Sequence, residues 1–179
     1  MTQNRTLSLI LPAFGAAIIA ALAQIVIPIG AVPITLQTFA VGLVAAILKP
    51  REATLAATLY LILGAIGLPV FAGGGGGLQA FFGPSAGYLL AYPFFALVTS
   101  ALTHAKTPIW KSFLAFVLGD ALVFVGGILS LHFLGKMGWS AAVAVGLTPF
   151  IIPDLLKGLI VALVTKPVLK ALKNHSYFN

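Results

Sequence analysis

The chain has 179 residues, of which 60% are hydrophobic and only 7% charged, with a mean hydropathy of +1.12 and no cysteine. Soluble domains carry about a quarter charged residues, so this composition excludes a water-covered globule, a disordered chain, a disulfide scaffold and a Cys-based zinc site. The net charge of +7 comes from 10 Lys and Arg against 3 Asp and Glu; these cations are not gathered on one tail or face, which argues against nucleic-acid binding and for a role in membrane topology.

A helix needs about 20 apolar residues to cross a hydrocarbon core of roughly 30 Å, and six such spans are predicted. The first covers about residues 7–27 and stops in a Pro/Gly-rich stretch from Pro28 to Pro33. Arg5, an apolar run and Ala21-Leu22-Ala23 before Gln24 imitate a secretory signal with its cleavage site. The run is longer than the apolar core of a usual signal, so the first helix is expected to be retained. The second span, about 33–48, ends at Lys49, Pro50 and Arg51, and the third, about 52–67, leads into Leu68, Pro69 and the glycine run Gly73 to Gly77. The fourth covers about 84–104, with Pro84 suited to a first helical position; the fifth covers 112–134 and the sixth 147–165, followed by a basic tail. The expected fold is all-α: one integral-membrane domain over residues 1–179 with six transmembrane helices.

Charge placement orients these spans. Arg5, Lys49, Arg51, Lys106, Lys111, Lys166, Lys170 and Lys173 fall on the side of the termini, Lys136 falls on the other side, and Lys157 lies inside the last span. Cytoplasmic loops collect Lys and Arg, so both termini are expected in the cytoplasm. The two outer loops are unlike ordinary connectors. Residues 28–34 hold two prolines and a glycine, and residues 67–84 interleave Gly67, Pro69, the glycine run, Gly83 and Pro84 with Leu68, Val70, Phe71, Leu78, Phe81 and Phe82. A flexible linker lacks such aromatics, so the second loop is expected to fold back and cap a cavity rather than rest on headgroups.

Ionisable groups within a span cost roughly 2.5–3.5 kcal/mol each on insertion scales and are functional candidates by default. Asp154 and Lys157 stand three residues apart on one face of the sixth helix. A buried ion pair seldom repays its own desolvation, so a polar ligand explains the pair better than mutual neutralisation alone. Asp120, in the fifth helix, balances Lys157, holds its helix to a neighbour, or reaches a ligand. Thr35, Gln37, Thr38, Gln79, Ser85, Tyr88 and Tyr92 supply neutral polar groups near the same outer face.

Catalysis finds little support. The glycine run lacks the Lys and Ser/Thr of a phosphate loop, and His104, His132 and His175 do not stand at metal-ligand spacing. Ser85 has no histidine at its depth, so no catalytic residue, metal or cofactor is expected. On helix one, Ala13, Ala16, Ala17, Ala20, Ala21 and Ala23 form small-xxx-small pairs at 16/20 and 17/21, which allow close helix approach either within the chain or to a partner.

Four stretches carry a family resemblance: Val32-Pro33-Ile34-Thr35-Leu36-Gln37-Thr38-Phe39-Ala40-Val41; Gly67-Leu68-Pro69-Val70-Phe71 before the glycine run; Gly83-Pro84-Ser85-Ala86-Gly87-Tyr88-Leu89; and Asp154-Leu155-Leu156-Lys157-Gly158. In this order they resemble the BioY family, the biotin-specific S components of energy-coupling factor (ECF) transporters. The resemblance implies a six-helix protein of the bacterial plasma (inner) membrane that captures biotin from outside, beneath the two outer loops and against helices four and six. It implies that Asp154 meets a ureido N–H and Lys157 an oxygen of biotin. Gln79, Ser85 and Tyr88 fall where the family draws polar contacts, Phe71, Phe81 and Phe82 can pack on the thiophane ring and acyl chain, and Gly83, Thr35 and Gln37 complete the expected ligand set. Two departures are visible: Ser85-Ala86 replaces the Thr-Gly of the family's usual Gly-Pro-Thr-Gly-Gly-Tyr, and Gln79 stands where a shorter amide is expected.

The implied partners are a transmembrane T component and two cytoplasmic ATPases that supply energy, with Ala16, Ala17, Ala20 and Ala21 as the docking face. Some relatives lack dedicated partner genes, which leaves solitary operation and self-association open. The alternatives to biotin capture are an S component for another small vitamin and a non-transporting membrane scaffold whose Asp/Lys pair is structural.

Overall fold

The structure is a computed structural model that describes residues 2–29, 32–172 and 177, with side chains from Thr6 onward. The Arg5 side chain, Lys173 and His175, named above, lie outside the described residues. The described chain forms α1 (Thr2–Leu22), α2 (Gln37–Ile47), α3 (Pro50–Ala65), α4 (Ala86–Leu102), α5 (Ile109–Phe133), α6 (Trp139–Gly146) and α7 (Ile151–Leu172). A small hairpin of β1 (Val26–Ile27) and β2 (Ile34–Thr35) joins α1 to α2, and two 3-10 turns, Ala72–Gly74 and Leu78–Phe81, lie between α3 and α4.

Among the described residues α5 is long and apolar enough to cross a membrane by itself, and α6 with α7 makes a second such segment bent by 43°. Two departures from the expected spans have a visible cause. The first helix stops at Leu22, short of residue 27, because Gln24 folds its side-chain amide back onto Ala20 O (2.9 Å) and the chain then pairs Val26 with Thr35. The region between the fifth and sixth spans contains α6, which was not expected: His132 stacks on Trp139 with ring centres 3.9 Å apart and its Nδ1–H donates to Met137 O (2.7 Å), turning the chain straight into a new helix. The last helix consequently starts at Ile151, not near 147, so Asp154 lies in its first turn.

Small residues fill the interior and large apolar ones face outward. Ala40, Ala45, Ala53, Ala56 and Ala57 are fully buried, while Leu9, Phe14, Phe94, Phe133 and Ile152 are more than half exposed. Helices that meet without water between them gain from close backbone approach, and their lipid-facing sides can be as apolar as the core. The tightest approach joins α4 and α5, where a Cβ on Gly126 would stand 2.5 Å from Gly87 O. Gly158 of α7 meets the Phe116 ring of α5, 2.7 Å from where its Cβ would be. These contacts draw α4, α5 and α7 together around the site described below.

The alanines of α1 divide between two surfaces. Ala16 is only 1% exposed and Ala20 is half-buried, so Ala16 is spent on packing within the chain and cannot belong to an outward docking face. Its neighbour Gly15 shows the same packing, since a Cβ there would fall 2.8 Å from Ala56 of α3. Ala13, Ala17 and Ala21 are the exposed small residues, four apart along the helix.

Candidate ligand site

The loop between α3 and α4 is folded on itself. Phe71 N–H donates to Gly75 O (2.9 Å) and Gly77 N–H donates to Gly64 O (2.7 Å), which closes the glycine run back on the end of α3. Gly73, Gly74 and Gly77 have φ of +64°, +79° and +94°, a region costly for residues with a Cβ. The run therefore needs glycine for its shape. Phe71 is its anchor, 4% exposed and edge-on to Tyr60 and Phe81 at centroid distances of 5.4 and 5.7 Å. Gln24, just past α1, donates to the carbonyls of Val70 and Phe71 (3.3 Å each) and ties the loop to the hairpin side.

Beneath this loop the first turn of α7 presents Asp154 and, one turn on, Lys157. A carboxylate in a first turn is favoured by the positive end of the helix dipole. The Lys157 ammonium pairs with Asp154 Oδ1. Thr38, from α2, donates to the same Oδ1 (3.2 Å) and accepts from Lys157 Nζ (3.0 Å). All three are buried, at 8% exposure or less. The second oxygen of Asp154 accepts no hydrogen bond from the described residues, and the ammonium retains a donor.

Gln37 and Tyr88, expected as ligand contacts, have largely internal duties. The Gln37 amide donates to Tyr60 OH (2.7 Å) and accepts from Thr35 Oγ1 (2.9 Å), and the Tyr88 hydroxyl donates to Gly146 O at the end of α6 (2.7 Å). They hold the walls, and the Tyr88 ring rather than its hydroxyl faces inward. The walls enclose a cavity of about 370 Å³, inside the range of about 300–1,000 Å³ usual for small-molecule sites. Asp154, Lys157, Thr35, Gln37, Phe71, Gln79, Ser85 and Tyr88 all line it.

Three expected contacts fall elsewhere. Gly83 does not line the cavity. Phe82 is 75% exposed, pointing away from the cavity, and Phe81 packs behind Phe71 instead of lining the space. Three lining residues carried no sequence signal: Val123 and Phe124 from the middle of α5 and Phe150 from the α6–α7 break. The first two look like ordinary apolar residues of a span, and Phe150 reaches the cavity only because the last span is broken. Asp120 lies on a separate side cavity of about 150 Å³ between α5 and α7, shared with Asp154, and its Oδ1 has no hydrogen-bond partner among the described residues.

An aromatic-walled chamber with an acceptor and a cation side by side on its floor, in a helical bundle with an apolar exterior, defines a membrane-embedded binding protein for a small polar molecule. The carboxylate and ammonium can together accept from ring N–H groups and donate to an adjacent oxygen.

The chain belongs to the BioY family, whose sequence profile matches residues 1–174. It is 43% identical over 180 residues to "Biotin transporter BioY2" of Lactococcus lactis subsp. cremoris, with 99% of each chain covered. It is 39% identical to "Biotin transporter BioY" of Thermotoga maritima, over 79% of this chain and 83% of the relative, and 36% identical to that of Rhizobium etli, over 92% and 94%. The fold matches a crystal structure of the S-component for biotin from an ECF-type ABC transporter, with a TM-score of 0.88, 28% identity, and coverage of 100% of this chain and 99% of the other.

Proposed function

We propose that this protein captures biotin at the outer face of the bacterial plasma membrane, as the substrate-specific S component of an ECF-type importer. The observation that carries the proposal is the Asp154–Thr38–Lys157 cluster on the floor of the capped cavity. A ureido ring has two N–H donors and one strongly accepting oxygen. Asp154 accepts from a ureido N–H and Lys157 donates to an oxygen of biotin, while Phe71, Tyr88 and Phe150 give the thiophane ring and acyl chain an apolar lining. Ser85 and Gln79, both exposed at the cavity mouth, contact the ligand's polar end.

In this reading residues 1–179 form one domain with six membrane spans, α6 and α7 forming one broken span, and both termini are cytoplasmic, as the distribution of Lys and Arg supports. Energy comes from outside the chain, from a T component and two ATPases, and the outward alanines Ala17 and Ala21 let a partner helix approach closely. The experiment is a calorimetric titration of ligand-stripped, detergent-purified protein with biotin and with an analogue whose ureido ring lacks one N–H. Tight binding of biotin with a loss of about tenfold or more for the analogue is expected, because a buried acceptor left unpaired costs about 1–3 kcal/mol. Equal affinity for the two ligands would sink the assignment.

A further inference from the structure

A second cavity, of about 410 Å³, lies at the opposite end of the molecule, between the α2–α3 corner, the α4–α5 loop and the last turns of α7. Its interior is apolar at Ala46, Ile47, Leu48 and Leu169, while Lys49 and Lys106 stand on it with exposed side chains. Among the described residues no acid lines it. Glu52, the acid of this end, is buried outside the cavity and accepts from the Tyr177 hydroxyl (3.2 Å). Thr103 also lines the space; it is 6% exposed, and its Oγ1 is buried without a hydrogen-bond partner among the described residues. Buried hydroxyls are nearly always paired, so an orphan donor beside two cations marks a place for an anionic acceptor. Lys49 is already positioned, its Nζ 4.9 Å from the centre of the Tyr177 ring and its backbone N–H donating to the Tyr177 oxygen (3.1 Å).

We propose that this cavity binds the phosphate headgroup of an anionic membrane phospholipid. Lys49 and Lys106 neutralise the phosphate, Thr103 donates to one of its oxygens once rotation about χ1 turns its buried hydroxyl into the cavity, and the glycerol and first methylenes cover the apolar interior. Free inorganic phosphate offers similar oxygens and at least as much negative charge but leaves that interior uncovered, and this decides in favour of the lipid. The position suits it, since cationic pockets on the cytoplasmic side of helical membrane proteins meet the anionic leaflet.

The test is native mass spectrometry of the full chain in detergent, titrated separately with phosphatidylglycerol, phosphatidylcholine and inorganic phosphate. One phosphatidylglycerol is expected to be held about tenfold more tightly than phosphatidylcholine, the scale of one to two basic contacts at a membrane surface. The double variant Lys49→Gln/Lys106→Gln should abolish that preference and Thr103→Val should reduce it several-fold, whereas Lys166→Gln/Lys170→Gln, which removes two exposed cations outside the cavity, should leave it. Biotin affinity measured in parallel reports that each variant is folded. Equal retention of the two lipids, or an equal loss in the Lys166/Lys170 variant, overturns the site. Inorganic phosphate held as tightly as phosphatidylglycerol overturns the lipid as its occupant. The comparison of the two lipids on the unaltered protein stands even if a variant fails to fold.

Discussion

Asp154 and Asp120 are buried to the same degree, each 4% exposed, and both border the side cavity between α5 and α7, yet their surroundings differ. Asp154 faces the main cavity with an ammonium and a hydroxyl on one oxygen and the other oxygen open to a ligand. Asp120 has no cation in hydrogen-bond contact and one oxygen with no partner among the described residues. A buried charge is costly wherever it lies. Cost alone therefore does not identify a ligand site; what separates the two acids is that the carboxylate of Asp154 is built into a network from a second helix and aimed into a space large enough for a molecule.

The comparison is most exposed to failure at Asp154 and Lys157. Removing one member of a buried pair leaves the other uncompensated, at about 3–5 kcal/mol. Asp154→Asn and Lys157→Ala are each expected to lower biotin affinity by at least about 100-fold, the equivalent of roughly 2.7 kcal/mol, in protein that still elutes as a single species on size exclusion. Calorimetry decides it, and affinity kept within about threefold in both variants would remove the cluster from the site. A smaller loss is expected from Phe71→Ala. That change empties the space between Tyr60 and Phe81, and truncation of a buried Phe costs about 3–5 kcal/mol where the surroundings cannot collapse. The loop can partly reclose through its glycines, so a fall in affinity of about tenfold is expected, with faster biotin release in stopped-flow measurements. Unchanged release would mean that the loop does not retain the ligand.

The contrast between the two acids also shows how far the amino-acid sequence could be read. Asp154 and Lys157 were legible because charges inside a span are expensive and three residues apart puts them on one face. Thr38 could be placed near them as a polar group, but its bridging role needs α2 and α7 brought together, with the Phe116 ring of α5 seated against Gly42 of α2 and Gly158 of α7. The capping loop was legible from glycines mixed with aromatics, though composition could not say that Phe71 turns inward while Phe82 turns out. α6 has eight residues, too few to register as a span, and without it the start of α7 is misplaced by about a turn. Small-xxx-small spacing in α1 identified faces that can pack closely but not their neighbours, which is why Ala16 proved to be interior. The all-helical class and the approximate placement of most helices rest on patterns spread over many residues, whereas those details depend on single long-range contacts.

Glu52 is the third acid of the chain and occupies an intermediate case: buried like the others, it accepts a hydrogen bond from the Tyr177 hydroxyl. Burial pushes the Tyr177 phenol up to about 12 from the ordinary 10.0; the Lys49 N–H opposes this and the Glu52 carboxylate adds to it. Because the folded value lies above the unfolded one, the contribution of this contact is intact below pH 10 and is lost as the pH rises towards about 12. Tyr177 is buried but lies beyond the last helix, and its hydroxyl meets the α2–α3 corner, at Lys49 N–H and Glu52, so the effect is expected at that local contact rather than in global stability. The expected readout is local: protease cleavage beyond residue 172 should accelerate between pH 10 and 11 in the unaltered protein, and Tyr177→Phe should be fast-cleaved already at pH 8. Equal cleavage of the two proteins at pH 8 would show that the contact does not hold the tail.

The smallest effect is expected at Asp120, and it tests the comparison from the other side. If a carboxylate beside the site with an orphan oxygen is only a burden, Asp120→Asn removes a desolvation cost without breaking a hydrogen bond at that oxygen: biotin affinity stays within about twofold and the melting temperature holds or rises, since burying an unpaired carboxylate is costly. The amide keeps the shape of the side chain, so packing against α7 is unchanged and any loss reports on charge. A tenfold loss of affinity in a folded Asp120→Asn protein would mean that its field helps to hold Lys157 and Asp154 in place. The division drawn between the two acids would then fail, and the ligand site would extend through the side cavity to include both.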